Sequence, residues 1–154
     1  MTAAELDGLL REGRVVYDVR REGDGFELIE IGRLAMGGGG ITDQVVELEH
    51  VPVAVGRMRS VNDDNRLSLY LSWHVADTLQ GEHAVRVELV NEAGVVVDRY
   101  QGLALAGASD PALWQPGDRI DDRFIFDRPV AGVYTIRAGL GENAVEIGEI
   151  VVTN

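Results

Sequence analysis

The sequence predicts a mainly-β protein, an immunoglobulin-like antiparallel β-sandwich preceded by a short N-terminal helix and a hairpin. Three observations carry that prediction. Between residues 67 and 75, Leu67, Leu69, Leu71, Trp73 and Val75 alternate with Ser68, Tyr70, Ser72 and His74, the period of a strand with one face in a core. Further alternating segments follow at short, regular spacing with turn residues between them, as in a sandwich. Beyond Gly13 no segment has the period of a helix, and nothing repeats at a fixed interval.

In chain order, Thr2 is placed to cap a helix, with Glu5 three residues on as in a capping box. Leu6, Leu9 and Leu10 supply one apolar face until Gly13, so the helix has about ten residues and is marginal alone. Residues 15–21 and 26–35 alternate around the turn sequence at 22–25, which predicts a hairpin. The run Gly37 to Gly40 lacks the adjacent Lys and Ser or Thr of a phosphate-cradling loop and reads as a linker. Residues 44–61 form one or two strands interrupted by Pro52, which suits an edge or a change of sheet. After a turn at 62–65 comes the core strand, with Trp73 its largest residue. Residues 84–90 and 95–100 flank the turn at 91–94 and form a second hairpin. Residues 103–114, with small side chains and Pro111, make a loop crossing between sheets.

Within residues 112–140, Pro116 and Gly117 mark a turn, Phe124 and Phe126 alternate, and Gly132 precedes alternating Tyr134, Ile136 and Ala138. This stretch is expected to be the closing hairpin, with a last strand at 144–152. Tyr134 is either a tyrosine corner bonding backward to the chain or a core aromatic with its hydroxyl at the rim. The expected organisation is a helix-and-hairpin lead-in at 1–40 and a sandwich at 41–154.

At 154 residues, 45% of them hydrophobic, the chain suffices for one domain with a core. Its formal charge of -12 repels phosphate backbones and anionic headgroups, which argues against nucleic acid and membrane surfaces as partners. No apolar run reaches the roughly 20 residues that span a bilayer, and residues 1–13 lack the basic start and apolar stretch of a signal peptide. The expectation is a soluble chain without direct membrane insertion. If it works outside the cytoplasm, it is part of a longer protein. Without cysteine there is no disulfide, thiol catalysis or thiolate metal site.

No catalytic, cofactor or metal residue is assigned. His50, His74 and His83 lie on three segments, with His74 on the polar side of its strand, and each is read as solvated or hydrogen-bonded rather than a zinc ligand. Ser109 has no elbow-type surroundings. Asp118, Asp121 and Asp122 with Asp63 and Asp64 supply oxygen ligands for calcium, but their spacing is not that of an EF-hand, and solvated turn carboxylates are preferred. The candidate glycan or partner contacts are Tyr70 and His74 on the outer face of the core strand, and Trp114 and Gln115 in the loop before Pro116. For Trp114 an inward plug is preferred over an outward stacking platform, and Tyr100 is a weaker aromatic candidate.

The segments LSLYLSWHV (67–75), VRVELVNEAGVVV (85–97), WQPGD (114–118) and AGVYTIRAGL (131–140) fall in order across more than half of the chain. In these, the sequence resembles the C-terminal β-sandwich domain of bacterial dolichyl-phosphate-mannose mannosyltransferase-like membrane glycosyltransferases. Residues 6–34 are similar to the segment that follows the last membrane helix there, while the Gly37–Gly40 run and the short final strand depart from the pattern. The resemblance implies that catalytic carboxylates and the lipid-linked sugar site belong to a transmembrane part, so no catalytic residue carries over. It implies a non-catalytic accessory domain on the extracytoplasmic side, partnered by the membrane-embedded part of its parent or by another protein, with a glycan as a further ligand. The alternatives are a stand-alone carbohydrate- or protein-binding module and, without any motif, a calcium-assisted hydrolase.

Overall fold

Helix α1, Ala3–Arg11, begins where Thr2 Oγ1 accepts the Glu5 backbone N–H at 3.1 Å. Nine residues do not hold a helix in water, so its stability comes from docking. Leu10 is buried, and the Arg11 guanidinium meets Asp118 through two N–H···O bonds of 3.0 and 2.9 Å while also donating to the Leu113 carbonyl.

The computed structural model describes residues 1–37 and 45–154; Gly38 to Gly40 of the expected linker and the start of the 44–61 segment lie outside them. The strands are β1 (Val16–Glu22), β2 (Gly25–Ala35), β3 (Val46–Glu47), β4 (Val53–Asn62), β5 (Arg66–Val75), β6 (Val85–Val90), β7 (Val96–Gly102), β8 (Arg119–Asp127), β9 (Gly132–Leu140) and β10 (Val145–Val152). All pair antiparallel, in a six-stranded sheet of order β1-β2-β8-β5-β4-β3 and a four-stranded sheet of order β10-β9-β6-β7. The chain is therefore a mainly-β sandwich with one short N-terminal helix. Pro52 falls in the turn between β3 and β4, where its missing N–H interrupts no ladder.

One expectation is corrected. The stretch 112–140 is not a hairpin: β8 lies between β2 and β5 in the large sheet, and β9 lies between β10 and β6 in the small one. Both strands alternate, and each turns its apolar side to the core, Ile120, Phe124 and Phe126 from β8 and Tyr134, Ile136, Ala138 and Leu140 from β9. Pairing them side by side would leave both sheets without a central strand. The crossover is held where Arg128 N–H donates to the Asn65 carbonyl and the Tyr134 hydroxyl donates to the Val130 carbonyl at 2.6 Å. Tyr134 is thus buried and bonds backward along the chain, as a tyrosine corner does.

Trp73 is fully buried, with Trp114 at 6.3 Å and Phe124 edge-on at 6.4 Å. Tyr100 of β7 reaches Phe124 across the sandwich at 5.1 Å. Residues 115–118 form the expected turn: Asp118 N–H donates to the Gln115 carbonyl, and Gly117 takes a φ of 87°, the value that position demands after a proline. The lead-in enters the large sheet where β2 pairs with β8, Arg33 to Ala35 against Arg119 to Asp121. Gly32 is pressed there against the Asp121 carbonyl, with no room for a side chain. Before Gly32 the β2–β8 ladder ends, yet the hairpin stays against the sheet: Ile29 and Ile31 are buried, Arg123 donates to the Glu30 carbonyl, and Glu27 pairs with Arg66 of β5 at 2.9 Å.

Candidate functional site

The outer face of the large sheet is built in rows that follow from strand register. Arg59 of β4, Tyr70 of β5 and Arg123 of β8 stand directly opposite one another, and the next row is Gly56, Ser72, Asp121 and Arg33. The Arg59 guanidinium lies over the Tyr70 ring at 4.2 Å and that of Arg123 at 5.1 Å. Arg123 also donates twice to Ser68 Oγ, at 3.1 and 2.9 Å, and to the Glu30 carbonyl.

Between the two rows β4 bulges. Gly56 faces Ser72 and Arg59 faces Tyr70, so Arg57 and Met58 together stand opposite Leu71. Arg57 takes a φ of 54°, a left-handed conformation that costs a non-glycine residue about 1 kcal/mol or more. Arg33, Arg57, Arg59 and Arg123 line a hollow of about 670 Å³, open where β2 separates from β8. Among the described residues, no carboxylate lies within ion-pair distance of Arg33, Arg57 or Arg59. Of the three carboxylates that line the hollow, Glu30 pairs with none of these arginines, Asp121 is held by Arg119 at 3.0 Å, and Asp122 points into the core.

Asp122 accepts from the Leu105 and Arg123 backbone N–H groups at 3.1 and 2.8 Å and, more weakly, from Trp73 Nε1 at 3.4 Å. Burial pushes its carboxyl up to about 7, against the opposing pull of those three donors. It anchors the β7–β8 loop at Leu105 and Ala106, consecutive residues with left-handed φ values of 53° and 54°. The reading of Asp118 as a solvated turn carboxylate is corrected, since it is buried against Arg11, and so is that of Asp122. The Asp122 position was signalled by alternation, since Ile120, Phe124 and Phe126 share its side of β8.

The four candidate contacts separate. Tyr70 does line the hollow, but a guanidinium covers its ring and leaves no open face there for stacking a sugar. His74 is buried, and Ser72 Oγ lies 2.7 Å from its Nε2. The Ser72 hydroxyl donates to the Gly56 carbonyl, so His74 Nε2–H is the donor to Ser72 and Nδ1 is left as a buried bare acceptor. Desolvation, reinforced by Arg57 and Arg119, lowers the His74 pKa and keeps the ring neutral. The pair has the spacing of a nucleophile and base, yet its hydroxyl proton is committed to Gly56 and no carboxylate orients Nδ1.

Trp114 is 1% exposed, and its Nε1 donates to Ser109 Oγ at 2.9 Å. The stacking-platform alternative is therefore overturned: docking against Trp73 draws the ring inward as a plug. Gln115 is exposed and held through its backbone, its N–H donating to the Asp118 carboxylate and its carbonyl accepting from the Asp118 N–H. Asp118 serves Arg11, Asp121 serves Arg119, and Asp63 and Asp64 lie in an exposed turn, so the five carboxylates do not converge. Among the described residues no three His, Asp or Glu gather as a metal site, and no helix is long and apolar enough to cross a membrane. Tyr100 is half-buried and donates its hydroxyl to the Leu103 carbonyl.

The hairpin carries a second surface that was not singled out from sequence. Val19 pairs with Leu28, and alternation puts Tyr17 and Phe26 on the same face. All four are exposed, Phe26 by 77% and Leu28 by 64%. Glu30, opposite Tyr17 on this face, also lines the arginine hollow, so the two surfaces adjoin. In comparisons with known proteins, no family model, no curated protein and no solved structure matches this chain.

Proposed function

We propose that this chain is a non-catalytic accessory β-sandwich domain, the extracytoplasmic part of a membrane glycosyltransferase-like protein, and that it works by packing against the membrane-embedded part of that protein. The observation that carries the docking role is the apolar face of the β1–β2 hairpin. Tyr17, Val19, Phe26 and Leu28 form a contiguous exposed group on the outward face of the hairpin at the edge of the large sheet, and such surfaces mark interaction sites. The parentage rests on the sequence resemblance. Glycosyl transfer belongs in this reading to the transmembrane part, and the domain's contribution is to hold or orient that part or its acceptor.

Sugar stacking is the weaker use of the domain, because Trp114 is inside and the Tyr70 ring lies under Arg59. A photo-crosslinking residue at Phe26 in the complete natural reading frame tests the proposal. Crosslinks to membrane-helical peptides of the same protein are expected. A reading frame without membrane helices, or crosslinks confined to soluble proteins, points instead to a stand-alone protein-binding module and removes the proposed parentage.

A further inference from the structure

The two sheets use the same three-strand row on their outer faces, with one difference. In the small sheet the row is Arg99, Glu88 and Arg137, and the buried Glu88 carboxylate receives both guanidiniums, at 2.7 and 3.4 Å. In the large sheet the row is Arg59, Tyr70 and Arg123, and the central residue supplies an aromatic ring instead of a carboxylate. Cationic side chains gather there, and although Glu30 and Asp121 share the hollow, no described carboxylate pairs with Arg33, Arg57 or Arg59. The bulge then adds Arg57 and the neighbouring row adds Arg33, all lining one hollow in a chain whose formal charge is -12.

We propose that this hollow binds a tetrahedral oxyanion, the phosphate or sulfate group of a ligand, through Arg33, Arg57 and Arg59. Three considerations support the assignment. A chain with 26 acidic residues has ample carboxylates to pair its arginines, yet none of the described ones reaches these three. Stacking on Tyr70 fixes the plane of the Arg59 guanidinium while leaving its N–H edge available, which lowers the ordering cost of binding. Arg57 is held in a strained left-handed conformation on a bulge, the kind of device that re-aims a side chain at a binding site.

The number of guanidiniums favours a tetrahedral dianion over a carboxylate. One arginine fork satisfies a carboxylate, whereas a phosphate monoester carries a charge of about -1.5 to -2 near neutral pH and three acceptor oxygens. The overall negative charge of the chain opposes non-specific anion binding, so affinity for such a group has to come from this local arrangement.

Titration calorimetry at constant ionic strength, with sodium phosphate, sulfate or acetate exchanged for chloride, tests the inference on the intact chain. Saturable binding of phosphate or sulfate is expected, with acetate at least ten-fold weaker. Arg57→Ala and Arg59→Ala should each lower the affinity ten-fold or more while their melting temperatures without anion stay within a few degrees of the parent. Arg57→Gly, which suits the left-handed backbone, supplies a second variant that loses the charge without a folding cost. No saturable binding, equal binding of acetate, or unchanged affinity in these variants would overturn the proposal. Vesicles with and without phosphatidic acid, whose headgroup is a phosphate monoester, separate the sources: capture that depends on both this lipid and Arg57 assigns a lipid headgroup, and phosphate binding without capture assigns a soluble ester.

Discussion

Replacing Asp122 by asparagine should change how stability depends on pH, and by an amount that follows from burial. In the unfolded chain the carboxyl titrates near its ordinary value of 3.8, whereas in the fold burial raises it to about 7. Between those values the folded protein keeps a proton that the unfolded chain has lost, so stability falls as pH rises through this window and levels off above it. From pH 5 to pH 8 the carboxyl at 122 should therefore remove about 3 kcal/mol of stability, two pH units at about 1.4 kcal/mol each. An asparagine side chain does not titrate. The free-energy difference between parent and Asp122→Asn should then shift in the variant's favour by that amount, whatever the substitution costs at pH 5.

Other carboxylates titrate equally in both proteins and cancel in the difference. Trp73 and Trp114 are both buried, so urea unfolding followed by tryptophan fluorescence at pH 5, 6, 7 and 8 reports the transition directly. A difference constant across that range would show that Asp122 is not raised. The N–H groups of Leu105, Arg123 and Trp73 would then outweigh burial and hold the carboxylate ionised throughout the range.

Two further outcomes follow from contacts described above. Trp114→Ala should cost about 3–5 kcal/mol, because it empties the space beside Trp73 and leaves Ser109 without its donor, and a glycan array should give no signal with either protein. An alanine variant melting like the parent and lacking a sugar affinity that the parent has would restore the platform reading. Arg11→Ala should cost about 3 kcal/mol by leaving the buried Asp118 carboxylate without its guanidinium. Hydrogen exchange should show α1 opening faster than the strands; unchanged protection of α1 would mean that Leu10 alone holds it.

Much of the secondary structure was legible because side chains alternate along a strand whatever lies beside it. The Leu67 to Val75 pattern put Trp73 in the core without any knowledge of its neighbours, and the alternation of Phe124 and Phe126 did the same for β8. The N-cap at Thr2 and the turn at Pro116-Gly117 are likewise local, each decided by the geometry of four residues. Partnership is not local. A strand pair joined in a hairpin and one split between two sheets have the same alternation, so the roles of β8 and β9 were settled only when both central positions had to be filled.

The candidate site shows the same division. Alternation placed Tyr70 outward, but its two arginines come from β4 and β8, which meet β5 only through tertiary register. Arg57 joins them through a bulge whose extra residue is visible only against its partner strand. Trp114 has the same local sequence whether it faces in or out, and the neighbouring ring of Trp73 decides it. Sequence by itself determined which stretches are strands and which sides are apolar, because those depend on backbone geometry and water. Tertiary structure alone decided which charges meet, because a hollow lined by arginines from separate strands exists only after distant segments have been brought into register.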